Sequence, residues 1–237
     1  NEAKAITPVI EKAYHNNIPV VLVDRKILSD KYTAFVGGDN FELGKQIGTY
    51  ITNRLEGKGN IVELTGLKGS SPAVERHRGM TEILKEYPSI NIIATEDASW
   101  SKDNARSKFD SILQVHNNID IVFAQNDRMA SGAYEAAKKH GREKEMLFVG
   151  VDALAGENQG VELVADSILD ATFIYPTGGD KVIQVAMNIL GKKEFSKENI
   201  LSSALVNSSN AKIMLMQNSH IYTLADKIEV LNSKLDD

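Results

Sequence analysis

The residues of this 237-residue chain that could do chemistry gather just beyond short apolar runs. Asp24-Arg25 closes the run Ile18-Pro19-Val20-Val21-Leu22-Val23. A carboxylate accepts from two neighbouring hydroxyls and a guanidinium donates through a fixed fork, so the pair is suited to grip a polyol. The alternative for this pair is a surface ion pair at a strand end. Arg76, in Ser71-Pro72-Ala73-Val74-Glu75-Arg76, falls in the first turns of a helix that follows the run at 60–65 and would point toward the same strand ends. Trp100 is the single tryptophan and sits in the polar loop Asp97-Ala98-Ser99-Trp100-Ser101. An indole face there can pack on the C–H face of a sugar ring, or it can cover the edge of a core. Asn126-Asp127 closes the run at 119–125, with Asn126 expected as a ligand contact and Asp127 as the N-cap of the next helix. Asp152 follows a fully apolar strand, where a carboxylate needs partners: ligand hydroxyls or backbone amides. Tyr175, just before Pro176, ends the run at 170–174 and is a further ligand candidate.

Other chemistries fail on spacing. Gly66-Leu67-Lys68-Gly69-Ser70-Ser71 has the composition of a phosphate loop without its G-x-x-x-x-G-K-[ST] spacing, and reads as a tight strand-to-helix turn. His15, His77, His116, His140 and His220 share no metal-ligand spacing, and no metal or cofactor is expected. Asp127 and Asp152 could be imagined as a glycosidase pair, but nothing around them suggests that one is kept protonated. No Ser-His-Asp arrangement can be assembled, so the region is read as non-catalytic.

The elements that position these residues alternate. The pattern predicts helix 3–16, strand 18–24, a short strand 34–37 and helix 41–56. It continues as strand 60–65, helix 72–86, strand 90–95, helix 102–115, strand 119–125, helix 128–140 and strand 146–151. A helix near 157–166, a strand at 170–174 and a helix at 178–190 follow. Val- and Ile-rich runs separated by helices are the mark of a doubly wound parallel sheet. In such sheets ligands bind in the crevice outside the carboxyl ends of the strands, which is where the polar residues above are delivered. The breaks at Gly57-Lys58-Gly59-Asn60 and Gly191-Lys192-Lys193 divide the chain into lobe segments: 1–57 in a first lobe, 58–191 in a second, and 192–209 returning to the first. The first helix carries Ala5, Ile6, Val9, Ile10 and Ala13 on one face with no strand before it, so the first lobe is expected to be incomplete at its N-terminus. Residues 210–237 lack Gly and Pro. There Met214, Ile221, Leu224, Ile228, Leu231 and Leu235 keep a heptad rhythm broken by Gln217. That stretch is expected to form either a dimerising, signal-exporting helix or an amphipathic helix packed on its own domain.

Composition fits a binding domain. Hydrophobic residues make up 42% and charged residues 25%, ordinary for a globular chain, and a net charge of -5 argues against a nucleic-acid surface. There is no cysteine, which removes disulfides, thiolate metal sites and cysteine nucleophiles. No stretch approaches the roughly 18 apolar residues of a membrane span, so membrane attachment would need a segment outside this chain.

Taken together, Ile18-Pro19-Val20-Val21-Leu22-Val23-Asp24-Arg25, Gly38-Asp39-Asn40, Ala73-Val74-Glu75-Arg76-His77-Arg78-Gly79, Val122-Phe123-Ala124-Gln125-Asn126-Asp127 and Val149-Gly150-Val151-Asp152 resemble the ribose-binding, type I periplasmic binding proteins, in matching order from residue 1 to about 206. The resemblance implies a two-lobed α/β fold with doubly wound parallel sheets, a monosaccharide in the inter-lobe cleft, and no catalysis. It puts Asp24, Arg25, Arg76, Asn126 and Asp152 on sugar-bonding positions and Trp100 on the stacking position. Tyr175 departs from the pattern, standing where ribose binders carry a glutamine. The C-terminal extension resembles the periplasmic sensor domains of Bacteroides hybrid two-component histidine kinases, the fructose-responsive kind most of all. That implies a periplasmic ectodomain whose last helix leads toward the inner membrane and signals there, while the heptad rhythm points to a homodimer through that helix. A free transporter binding protein and the effector core of a LacI-type repressor share the fold and are the competing readings.

Overall fold

The computed structural model describes residues 3–217. Helix α1 (Ala3–His15) precedes β1 (Val21–Val23), β2 (Ala34–Gly38) and α2 (Asn40–Arg54). The alternation continues as β3 (Lys58–Thr65), α3 (Ser71–Leu84), β4 (Ser89–Asp97), α4 (Lys102–Val115), β5 (Ile121–Ala124), α5 (Asp127–Lys139) and β6 (Leu147–Val149). Helix α6 (Gly160–Ala165), β7 (Ala171–Phe173), α7 (Gly179–Leu190), β8 (Glu198–Leu201) and β9 (Leu205–Asn207) complete the order, and a helical stretch covers 211–217. The strands form two sheets, ordered β1-β2-β8 and β4-β3-β5-β6-β7-β9, parallel throughout except for the antiparallel pair β7–β9. This is the α/β, two-sheet architecture that the alternating runs predict.

Local chemistry explains the boundaries. The first apolar run pairs only from Val21, because Asn17 turns left-handed (φ 58°) to end α1, the Ile18 amide bonds back to Ala13, and Pro19 has no amide to give a ladder. Ser101 caps α4 through the Asn104 amide, and Asp39 caps α2 through the Glu42 amide. The apolar strands β5 and β6 are buried on both sides. Phe123 and Ile121 face a core shared with α2 and α3, while Val122 and Phe148 face one shared with α4 and α5.

The sheets change at different places from those the glycine breaks predict. Helix α2 packs on α3, and its Leu43, Ile47 and Ile51 join the core of the six-stranded sheet, so the crossing falls at Gly38–Asp39 rather than at Gly57–Asn60. Helix α7 packs Val182, Val185 and Ile189 on Ala34 and Val36 of the three-stranded sheet, so the return comes before α7 and not near Gly191. Strand β8 lies in the small sheet, but β9 crosses back to pair with β7. Glycine punctuation marks turns, whereas the sheet a helix joins is decided by which side its apolar stripe meets.

On the small sheet the α1 face is mostly open: Ile10 packs on Leu22, Ile27, Tyr32 and Phe35, while Ile6 and Val9 stay exposed. Of the heptad positions, Met214 falls among the described residues, where Ala211, Met214 and Leu215 pack against the larger core; Ile221, Leu224, Ile228, Leu231 and Leu235 lie outside them. No helix among the described residues is long and apolar enough to cross a membrane.

The α2–α3 contact is close because glycines face each other. A β-carbon on Gly79 would fall 2.1 Å from the Phe41 carbonyl oxygen, and one on Gly44 would fall 2.4 Å from the Arg76 carbonyl oxygen. Backbone cannot yield as a side-chain end can. Gly79→Ala is therefore expected to destabilise the fold by about 1–3 kcal/mol of overpacking. Urea unfolding checks this, and an unchanged midpoint would mean that the helices can separate at little cost.

Candidate functional site

A cleft of about 440 Å³ opens between the two sheets, lined by Asp24, Arg25, Pro72, Arg76, Trp100, Asn126, Leu154, Tyr175 and their neighbours, with Asp152 at its wall. All seven residues singled out from the sequence meet there. Sequence reasoning missed Pro72, Leu154, Pro176 and Thr177. Leu154 alone had a signal, being an apolar residue two places beyond a strand-end aspartate.

Three of the seven hold positive backbone φ: Asp24 at 67°, Trp100 at 62° and Asp152 at 114°. Such conformations cost about 1–3 kcal/mol each in a residue other than glycine and gather where function fixes them. Each follows the end of a β-strand. At Asp24 and Trp100 the chain leaves its strand, at Asp152 it keeps a single bridge to Ile174, and all three residues line the crevice.

Arg76 is the centre of the site. Only 3% exposed, it donates from Nε to Asn40 Oδ1 (2.9 Å) and from Nη1 to the Gln125 backbone carbonyl. Its guanidinium carbon lies 4.8 Å from the Tyr175 ring centre and 5.8 Å from the Trp100 ring centre. Arg25 is on the opposite side, 3.4 Å from the Asp24 carboxylate and 5.8 Å from the Trp100 ring centre. The cleft thus holds two guanidinium groups, two carboxylates and an indole between them. Arg25 Nη1 and the Trp100 indole nitrogen are buried without a protein partner, which leaves two donors for a ligand to meet.

Burial shifts two titratable groups of the cleft. Burial lifts the Asp152 carboxyl to about 6; Arg76 pulls it down and Asp24 pushes it up. Burial also raises the Tyr175 phenol to about 12, so it stays protonated and uncharged. Among the described residues no group of His, Asp and Glu is placed to hold a metal ion.

One half of the Asn126-Asp127 expectation is overturned: Asn126 does line the cleft, but Asp127 is not the cap. Asn126, not Asp127, caps α5: its Oδ1 accepts the Met129 amide at 2.8 Å while the residue still lines the cleft. Asp127 is buried and accepts from Thr172 Oγ1 (2.6 Å) and the Ala153 amide (2.8 Å). Burial drives its carboxyl up to about 8 against those two bonds. The physical reason is register. The cap must precede the first helical residue, and α5 begins at Asp127, which places that side chain inward over Gly150 and Gly160. Asp127 is therefore the brace of the Asp152 loop.

A second support was also missed. Glu63 is fully buried in β3 and bonds His77 Nδ1 (2.6 Å) and Gln125 Nε2 (2.9 Å), while Gln125 Oε1 accepts the Gly66 amide at 3.0 Å. A glutamate inside Ile61-Val62-Glu63-Leu64 was the available signal.

The chain matches the model of the periplasmic binding protein domain over residues 1–194. The galactofuranose-binding protein YtfQ of Escherichia coli is 35% identical over 170 residues, 69% of this chain and 52% of that protein. The D-apiose import binding protein of Actinobacillus succinogenes is 33% identical over 213 residues, 86% of this chain and 66% of that protein. The chain thus spans about half to two thirds of the length of these curated relatives. Among solved structures, the fructose binding periplasmic domain of the hybrid two component system BT1754 superposes with a TM-score of 0.94 at 56% identity, covering 97% of this chain and 76% of that one.

Removing the Asp127 carboxyl group strands two buried donors, Thr172 Oγ1 and the Ala153 amide. Asp127→Ala is expected to cost about 2–4 kcal/mol of stability, and Asp127→Asn, which keeps an acceptor, distinctly less. Chemical denaturation of both variants checks the order; equal losses would mean that the hydrogen bonds to Thr172 and Ala153 contribute nothing.

Proposed function

The chain belongs to the periplasmic binding protein domain family, and from that premise we propose that it is the sugar-sensing domain of a hybrid two-component histidine kinase, taking a monosaccharide in the cleft between its sheets. The sugar is fructose or a hexose or pentose related to it. The domain binds and does not catalyse. The observation that carries the reading is the convergence of Asp24, Arg25, Arg76, Trp100, Asn126, Asp152 and Tyr175 on one cleft. Likeness to a fructose-binding sensor domain over nearly the whole chain supports it.

In this mechanism Trp100 packs on the C–H face of the ring while Arg76 and Asp152 hold hydroxyls from the large-sheet side. Asp24 and Arg25 hold others from the small-sheet side. A ligand bound from both sides stabilises the closed arrangement by its differential affinity for it. The change in lobe angle would pass to the segment after Asn210, which would pair with its equivalent in a second subunit and lead toward the inner membrane. A second reading, a free carrier serving a transporter, is favoured by the D-apiose import binding protein among the relatives. Calorimetry with a panel of fructose, ribose, galactose and apiose tests the ligand. Kinase phosphorylation of the intact gene product with and without the bound sugar separates sensor from carrier. Failure of every sugar to bind would sink both.

Asp24→Ala should leave Arg25 and the sugar hydroxyls unpaired and weaken binding by about 2–4 kcal/mol. Trp100→Ala removes stacking only, about 1–2 kcal/mol. Calorimetry that ranked the two in the reverse order would show that the ring, not the charge, anchors the ligand.

Binding should also depend on pH. Hydroxyls donate to the ionised Asp152, which in the free protein loses its proton at about 6. Above that pH affinity is level; below it, protonation competes and affinity falls by up to about tenfold per pH unit for one linked proton. Titrations between pH 7.5 and 4.5 measure this, and Asp152→Asn should give a weaker but flatter profile. A flat wild-type profile would remove Asp152 from the contact set.

A further inference from the structure

Resting on the sugar-binding reading, we infer that Asn40 is the positioning residue of the cleft, one amide that holds Arg76 from the large-sheet side and, through the Tyr175 hydroxyl, the Asp24 end of the small sheet. Asn40 is 2% exposed and opens α2 immediately after the chain leaves β2 for the large sheet. Its Oδ1 accepts Arg76 Nε at 2.9 Å and its Nδ2 donates to Tyr175 Oη at 3.2 Å. The Tyr175 hydroxyl in turn donates to the Asp24 backbone carbonyl at 3.1 Å. Three bonds in series therefore run from the guanidinium to the end of β1.

The direction of every bond is determined. Arg76 Nε can only donate, so the amide must present oxygen to it and nitrogen to the phenol. The phenol accepts from that nitrogen and spends its one proton on Asp24. A carboxylate at 40 could hold Arg76, but it would draw the Tyr175 proton away from Asp24. An aliphatic residue would hold neither.

The ring of Tyr175 is equally confined. A β-carbon on Gly38 would lie 2.7 Å from it, so the phenol rests on bare backbone where the chain makes its first crossing between sheets. Tyr175 itself stands where the chain crosses back, beside the bridge of Ile174 to Asp152. The relay thus joins two crossings and the tip of β1 at the base of the cleft. With Nε committed to Asn40 and Nη1 to the Gln125 carbonyl, Arg76 is left to offer its remaining N–H groups to the ligand. Tyr175 presents a ring and a phenol oxygen whose proton is already engaged, in contrast to an amide that could both donate and accept.

The test is a double-mutant cycle of Asn40→Ala and Tyr175→Phe in the whole protein, read by sugar calorimetry and by urea unfolding without sugar. Each single variant is expected to raise Kd about tenfold. The double should fall well short of the hundredfold product, because breaking either link breaks the same relay. The unfolding midpoints should show the same shortfall. Asn40→Asp should also raise Kd, although it keeps the acceptor for Arg76. Effects that combine independently, multiplying in Kd and adding in the unfolding midpoint, or an Asn40→Asp protein that binds like wild type, would overturn the relay. If the unmodified protein bound no sugar, the sugar reading would fall, and the unfolding cycle would still decide the relay by itself.

Discussion

Burying a guanidinium costs several kcal/mol unless its N–H groups are met, and the site depends on how Arg76 meets that cost. Among the described residues its hydrogen bonds go to neutral oxygens, Asn40 Oδ1 and the Gln125 carbonyl, with aromatic faces of Tyr175 and Trp100 on its flanks. Asp24 and Asp152 are near enough to favour its charge without bonding it. The cation therefore keeps donors in reserve, and the carboxylates keep lone pairs in reserve. A ligand carrying both hydroxyl donors and acceptors completes the pairing of Arg76 without having to break an ion pair of that residue; the ion pair in the cleft is Asp24–Arg25.

That arrangement places demands on elements remote from the cleft. Gln125 offers its carbonyl to Arg76 because its own side chain is held by Glu63, the Ala73 carbonyl and the Gly66 amide. Arg76 reaches Asn40 because glycines let α3 lie against α2 almost backbone to backbone. Asp127, inward and bonded to Thr172 and Ala153, keeps the loop after β6 in the turn that aims Asp152 at the guanidinium. Backbone strain at Asp152 is held by the last of these supports, through the Ala153 amide. Strand ends are suited to this, since a ladder fixes the residue before the turn and leaves the next one free to leave the sheet.

Much of the molecule was legible in the residues alone. Apolar runs rich in Val and Ile, spaced by helical periodicity, determine a parallel α/β fold, because strands buried on both faces tolerate little else. The same runs determine where polar side chains emerge, and Asp24, Arg25, Arg76, Trp100, Asn126, Asp152 and Tyr175, all near strand ends in the sequence, line one cleft. Tertiary structure decided what periodicity does not encode. Whether α2 and α7 serve the large sheet or the small one depends on which apolar face they meet across space. Whether Asn126 or Asp127 caps α5 turned on a one-residue register. The roles of Asn40 and Gln125 were invisible along the chain, and Glu63 signalled only that a carboxylate in an apolar run needs partners, because a buried polar group is defined by partners that lie 36 to 135 positions away in the bonds Arg76–Asn40, Glu63–Gln125 and Asn40–Tyr175, and hydrogen bonding at that separation is a property of the fold.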